Sequence, residues 1–95
     1  MQVKDLKPNT AIDTLEVEVI DVEEPRKFTS FRGSGRVTNA RVRDETGEVK
    51  LTLWNDEIDL ATPGSKLRIE NGWAKEYRNE LQIGSGRFGR IIVEK

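Results

Sequence analysis

Trp54, Trp73 and Tyr77 are the side chains with most to offer a ligand. Each presents a flat π-face, and cations are interleaved with them: Lys50 precedes Trp54, Lys75 lies between Trp73 and Tyr77, and Arg78 follows. Rings accept flat heterocycles while cations neutralise phosphate, and the two together hold single-stranded nucleic acid with little regard to sequence. Arg41 and Arg43 join the set if they face the same way. Bond-making chemistry has far less to work with. The chain has no His and no Cys, which removes the usual zinc and copper ligands and the usual nucleophile–base pairs. Asp56, Glu57 and Asp59 lack the spacing and the glycine of a calcium loop. No catalytic residue, metal or cofactor is expected.

One literal match misleads. GSGRFG, residues 84–89, spells the dinucleotide fingerprint G-x-G-x-x-G. That motif works by joining a strand to a helix whose N-terminal amides hold a pyrophosphate. Here a strand-like IIV follows near the end of the sequence, so the glycines are read as a tight corner with Phe88 packed at the end of the fold.

The rings serve only if the backbone turns them outward. In RDETGEVKLTLWND (43–56), Val49, Leu51 and Leu53 alternate with Lys50, Thr52 and Trp54. Successive strand side chains point to opposite faces, so the tryptophan shares the polar face. KLRIEN (66–71) begins another strand, with Leu67 and Ile69 inward. A bulge at Gly72 reverses the parity and sends Trp73, Lys75 and Tyr77 outward.

The remaining segments read as short strands divided by turn signals. VKDLKPN forms a short helical turn ended by Pro8. A first strand over 13–24 changes parity near Ile20, which calls for a bulge. KFTSFRGSGR (27–36) reads as a loop, and a second strand over 37–44 turns Asn39, Arg41 and Arg43 outward. Glu45-Thr46-Gly47 makes a tight hairpin in which Gly47 is free to take a positive φ. DEIDLATPG (56–64) is a short helix, Arg78-Asn79 a turn, ELQIG (80–84) the fifth strand, and GRIIVEK closes the fold. Five strands with a short helix between the third and fourth is the order of an all-β OB-fold, a Greek-key barrel. An SH3-like barrel, the alternative, fits the loops and strand count less well.

Size and charge agree. Ninety-five residues make one small domain, 1–95, able to bury a single core without staples. The net charge of −1 conceals zoning: residues 1–25 carry two basic and seven acidic residues, while residues 26–54 carry seven basic and three acidic. No apolar run approaches the ~20 residues of a membrane span. With no signal-like N-terminus and no cysteine, a cytoplasmic, nucleoid-associated location is expected. Surface aromatics also pack under neighbouring loops. Alternation therefore leaves two readings open, a nucleic-acid face or loop packing.

Longer motifs narrow the choice. DETGEVKLTLWND (44–56), KLRIENGWAKEYRNELQIGSGRFG (66–89) and, more loosely, VKDLKPN with the first strand resemble the archaeal single-stranded-DNA-binding OB domains, including those of replication protein A. The resemblance spans most of the chain. It implies that Trp54, Trp73 and Tyr77 stack on bases, Tyr keeping the ring where relatives carry Phe. It implies that cations of the second and third strands and the loop before them meet phosphates: Arg32, Arg36, Arg41, Arg43 and Lys50. Phe28 and Phe31 lie where that family varies, and their role is left open between stacking and loop packing. Many simple relatives continue into a long tail used for protein partners, whereas this sequence ends at Lys95, which leaves a whole protein and one module of a larger one both open.

The expected function is non-enzymatic binding of single-stranded DNA in replication or repair. RNA is a second ligand for the same face, since stacking excludes no 2′-hydroxyl. The rival reading is a protein-interaction OB module, in which the aromatics meet other replication or repair proteins or further OB domains. No membrane partner is expected.

Overall fold

The computed structural model describes residues 1–31, 33–86 and 89–94. Among these residues there are seven strand segments: β1 (Thr10–Val22), β2 (Arg26–Ser30), β3 (Gly33–Asp44), β4 (Gly47–Trp54), β5 (Lys66–Tyr77), β6 (Glu80–Gly84) and β7 (Arg90–Glu94). Hydrogen bonding runs β1-β3-β4-β6-β5, and β1 pairs again with β5, so five strands close on themselves. This is the OB-fold barrel expected from the strand order. β7 continues beside the first half of β5, from Lys66 to Glu70, where β6 does not reach.

Side-chain alternation fills the barrel. Leu15, Val17 and Val19 of β1, Ala40 and Val42 of β3, and Val49, Leu51 and Leu53 of β4 are buried. Leu67 and Ile69 of β5 and Ile83 of β6 complete the same interior. Val3 and Leu6 plug one side from an N-terminal 3-10 turn (Val3–Asp5). The anticipated β1 bulge is present. Val19 pairs with Val42 and Asp21 with Arg41, so Ile20 is the extra residue that lets one long strand serve two sides of the barrel.

Several local expectations need correction. The segment read as a loop, 27–36, is a hairpin in which β2 pairs with the start of β3 from Arg26↔Val37 to Ser30↔Gly33. Its polar, glycine-bearing composition masks the alternation that pairing needs, because it buries no apolar face of its own. The anticipated helix is a 3-10 turn over Asn55–Leu60, short of Pro63-Gly64, with buried Ile58 as its anchor. The Trp54 backbone N–H donates to Glu57 Oε1 at 3.0 Å and ties off its start. Gly47 is not in a left-handed conformation. It pairs with Asp44 across a two-residue turn whose geometry comes instead from the Asp44 carboxylate, which accepts from the Thr46 N–H at 2.7 Å and the Thr46 hydroxyl at 2.6 Å. Phe88, given a packing role from the sequence, lies outside the described residues.

Asp44 does a second job. Its other oxygen accepts from the Val3 N–H at 2.7 Å, and Thr46 Oγ accepts from the Lys4 N–H at 3.0 Å, so the β3–β4 turn holds the N-terminal 3-10 turn. Desolvation pushes the Asp44 carboxyl up, but the bonds from the Thr46 hydroxyl and from the Val3, Thr46 and Gly47 N–H groups outweigh it and hold the group below its ordinary value.

Candidate nucleic-acid interface

Parity along β5 reverses as expected, though for another reason. Ile69, Gly72 and Ala74 are buried while Asn71, Trp73 and Lys75 are exposed. The residue in the left-handed region is Asn71, at φ 54°, one position before the glycine. Asparagine tolerates that conformation better than other side chains. Gly72 is needed for a different reason, close approach: a Cβ there would stand 2.6 Å from the Gly84 carbonyl oxygen and 2.7 Å from Ile69 Cγ2.

Strand pairing then sets the outward residues in rows. Arg43 and Glu48 stand opposite each other on β3 and β4, and Glu80 and Tyr77 on β6 and β5. The next row runs Arg41, Lys50, Gln82, Lys75 across four strands. One step on, Asn39 pairs with Thr52, and Gly84 with Trp73. Val37 and Trp54 follow. The three rings therefore share one face: Tyr77 near one end, Trp54 at the other, and Trp73 between them on β5. Gly84 puts no side chain beside Trp73.

All three rings remain partly in water, at 45% for Trp54, 44% for Trp73 and 54% for Tyr77. Trp54 is steadied by Phe28, which it meets edge-on with centroids 5.6 Å apart. Phe28 is carried there by β2, opposite Gly35, where a Cβ would stand 2.7 Å from the phenyl ring. Tyr77 has Arg78 at 5.2 Å from its centroid. Arg78 and Asn79 both have positive φ, 52° and 65°, the pairing of a two-residue hairpin turn that matches strand twist. Thr52, expected on the polar face, is only 8% exposed and donates to Asn39 Oδ1 at 3.1 Å.

The cations do not stand alone. Arg41 lies 3.0 Å from Asp21, Arg43 3.1 Å from Glu18, Lys50 3.1 Å from Glu80 and Arg36 3.7 Å from Asp59. Among the described residues Lys75 has no carboxylate partner. Arg32 lies outside the described residues. The structure thus brings Arg41, Lys50 and Lys75 into one row, with Arg43 one row away and Arg78 at the adjoining turn. Arg36 lies aside, on the β2–β3 hairpin, where its N–H donates to Asn55 Oδ1 at 3.1 Å. Sequence reasoning missed the carboxylates and the support given by Phe28. Register alone reveals both.

Comparison with known proteins follows the same lines. The family model described as "Single-stranded DNA binding protein Ssb-like, OB fold" matches residues 6–93. The single-stranded DNA binding protein Ssb of Saccharolobus solfataricus is 34% identical over 90 residues, which cover 95% of this chain and 61% of that protein. The solution structure of a hypothetical protein from Arabidopsis thaliana superimposes with a TM-score of 0.82 at 27% identity, covering 99% of this chain and 72% of that one. The second OB-fold domain of replication protein A from Methanococcus maripaludis shares the fold with a TM-score of 0.77 at 24% identity, covering 98% and 92%.

Proposed function

We propose that this chain, which belongs to the Ssb-like single-stranded DNA binding OB-fold family, holds single-stranded DNA on the outward face of β3, β4, β6 and β5 without transforming it. The observation that supports this most is the placing of Trp54, Trp73 and Tyr77 on one face, each about half in water. Leaving three large rings unsheltered forgoes burial worth roughly 1.5–3 kcal/mol for a large apolar side chain. A base stacked on each ring recovers part of that and contributes roughly 1–3 kcal/mol by truncation.

Phosphates meet the flanking cations. Lys75 is the readiest, whereas Arg41, Arg43, Lys50 and Arg36 each exchange a carboxylate for a phosphate. Exposed ion pairs of this kind are worth about 0–1 kcal/mol, so exchange is easy. A single domain should cover about 4–6 nucleotides, within the range for one OB fold. Stacking reads no hydrogen-bond code, so preference among bases at these rings is slight and RNA competes for the same face. Replication or repair proteins and further OB domains are the protein partners in keeping with such a role, and the DNA-rich cytoplasm its location. No helix among the described residues is long and apolar enough to cross a membrane.

The test is tryptophan fluorescence during titration with oligo-dT and with a matched duplex, at two salt concentrations. Saturable quenching by the single strand alone, weakened by salt, is the expected result. Equal binding of duplex would overturn the reading, because a duplex hides its base faces.

A further inference from the structure

Beyond the three rings a groove of about 780 Å³ opens on the β1 side of Trp73. Ala11 is the backbone partner of Trp73 and Ile12 that of Gly72, so the groove follows the seam where the barrel closes. Its floor and walls are largely apolar, formed by Met1, Ala11, Ile12, Gly72 and Gly86 around the tryptophan. The polar exceptions are Asp13 and Asn71.

These two stand opposite each other. The pairs Ile12↔Gly72 and Thr14↔Glu70 bracket them, and parity reverses on both strands at this point, turning Asp13 and Asn71 outward together. Among the described residues neither side chain has a hydrogen-bond or ion-pair partner, unlike Asp21, Glu18 and Glu80, which are held by Arg41, Arg43 and Lys50. The groove therefore offers a π-wall, an apolar floor, an acceptor-only carboxylate and an amide that both donates and accepts.

The geometry points to a nucleobase subsite in this groove that selects guanine, a reading that rests on the proposed binding of single-stranded DNA. The groove is continuous with Trp73, so a strand stacked on that ring needs only to unstack its next base to enter. Single-stranded bases are read in this way, splayed from their neighbours and bonded along the Watson–Crick edge. Guanine presents N1–H and N2–H side by side, the pair of donors a carboxylate accepts in two parallel bonds, and O6 lies next to them for the Asn71 amide. Thymine offers one donor between two acceptors. Adenine and cytosine set a ring-nitrogen acceptor beside their amine, which faces the Asp13 carboxylate unfavourably. Trp54 faces Val37, and the carboxylate opposite Tyr77, Glu80, is already paired with Lys50 at 3.1 Å, so the preference is confined to one position of the bound strand.

The experiment walks a single dG through an oligo-dT of about six nucleotides, no longer than one domain is expected to cover, and measures affinity for wild type and Asp13→Asn. One dG position, and no other, should tighten wild-type binding about five- to tenfold, at the low end of what a two-bond base contact discriminates. The increment should shrink in Asp13→Asn, whose amide keeps one acceptor oxygen but sets an N–H donor against the second guanine donor. Equal affinity at every position with oligo-dT binding intact would overturn the subsite and leave single-strand binding standing. An increment of undiminished size in Asp13→Asn would also overturn it. Failure to bind any oligonucleotide would overturn both.

Discussion

The Phe28 ring meets the Trp54 ring edge-on, with centroids 5.6 Å apart and planes at 84°. A phenylalanine on the β2–β3 hairpin thus holds a tryptophan on β4 in one orientation before any ligand arrives. Edge-to-face pairs of this kind are worth about 0.5–1.5 kcal/mol beyond the area they bury. Phe28→Ala should weaken single-strand binding by about two- to tenfold on that basis, while the melting temperature moves little because Phe28 lies outside the barrel interior. Unchanged affinity in a titration of the variant would mean that Trp54 is not positioned by its neighbour.

Trp54→Ala and Trp73→Ala should each reduce binding by about 1–3 kcal/mol, with folding intact by circular dichroism. Leu51→Ala should do the reverse, since Leu51 is fully buried. Its truncation should lower stability by about 2–5 kcal/mol. A Trp54→Ala protein that unfolds would show that the ring belongs to the core.

The pairing of Lys50 with Glu80 at 3.1 Å makes the salt dependence diagnostic. Each phosphate contact should contribute about −0.7 to the slope of log K against log salt. A displaced carboxylate gathers a counter-cation from solution and offsets part of that release. Glu80→Gln should therefore bind more tightly at low salt and show a steeper slope. An identical slope in both proteins would mean that Lys50 does not change partners on binding.

Gly72 and Asn71 should respond in opposite ways to substitution. Gly72→Ala drives a Cβ against the Gly84 carbonyl and Ile69, and should destabilise by about 1–3 kcal/mol. Asn71→Gly relaxes a left-handed residue and should stay within about 1 kcal/mol of wild type. Chemical denaturation compares the two, and a tolerated Gly72→Ala would contradict the close approach.

Acid should loosen the fold partly through Asp44 and Glu70. Burial pushes the Asp44 carboxyl up, yet its hydrogen bonds hold it below its ordinary value. For Glu70 the bond from Arg90 is the chief cause of the lowering, opposed by desolvation and aided by the charges of Arg90 and Arg68. A carboxyl lowered in the folded state stabilises fully above its unfolded pKa and loses that contribution as pH falls through the folded one. Stability should thus decline as pH drops below about 4, the ordinary carboxylate range. Asp44→Asn should flatten that decline, and an unaltered acid limb in the variant would remove Asp44 from the account.

Local signals carried most of the barrel. Alternation through Val49, Leu51 and Leu53 set the facing of Trp54, and the parity change at Ile20 announced a bulge that the β1–β3 register contains. What stayed hidden was non-local. Nothing in the sequence around Lys50 announces Glu80, and nothing near Arg41 announces Asp21, because these pairs exist only once register is fixed. The β2–β3 hairpin escaped for a related reason: Phe28 finds its apolar partner on β4, not within the hairpin. Gly72 drew attention to the right corner, but the left-handed residue was the asparagine before it.

The β1–β5 seam has a kinetic consequence. It joins Thr10 to Ala74 and Glu18 to Lys66, so the first strand made waits for the fifth before the barrel can close. Long-range pairings of this kind place a fold among the slower single domains, in roughly milliseconds to seconds. β3 and β4, joined by their two-residue turn, can meet early and present Trp54 on a hairpin. Trp73 acquires its neighbour Ala11 only when the seam zips. The two tryptophans should therefore reach their native surroundings at different times in refolding, Trp54 first, and single-tryptophan variants followed by stopped-flow fluorescence would time each end of the face separately.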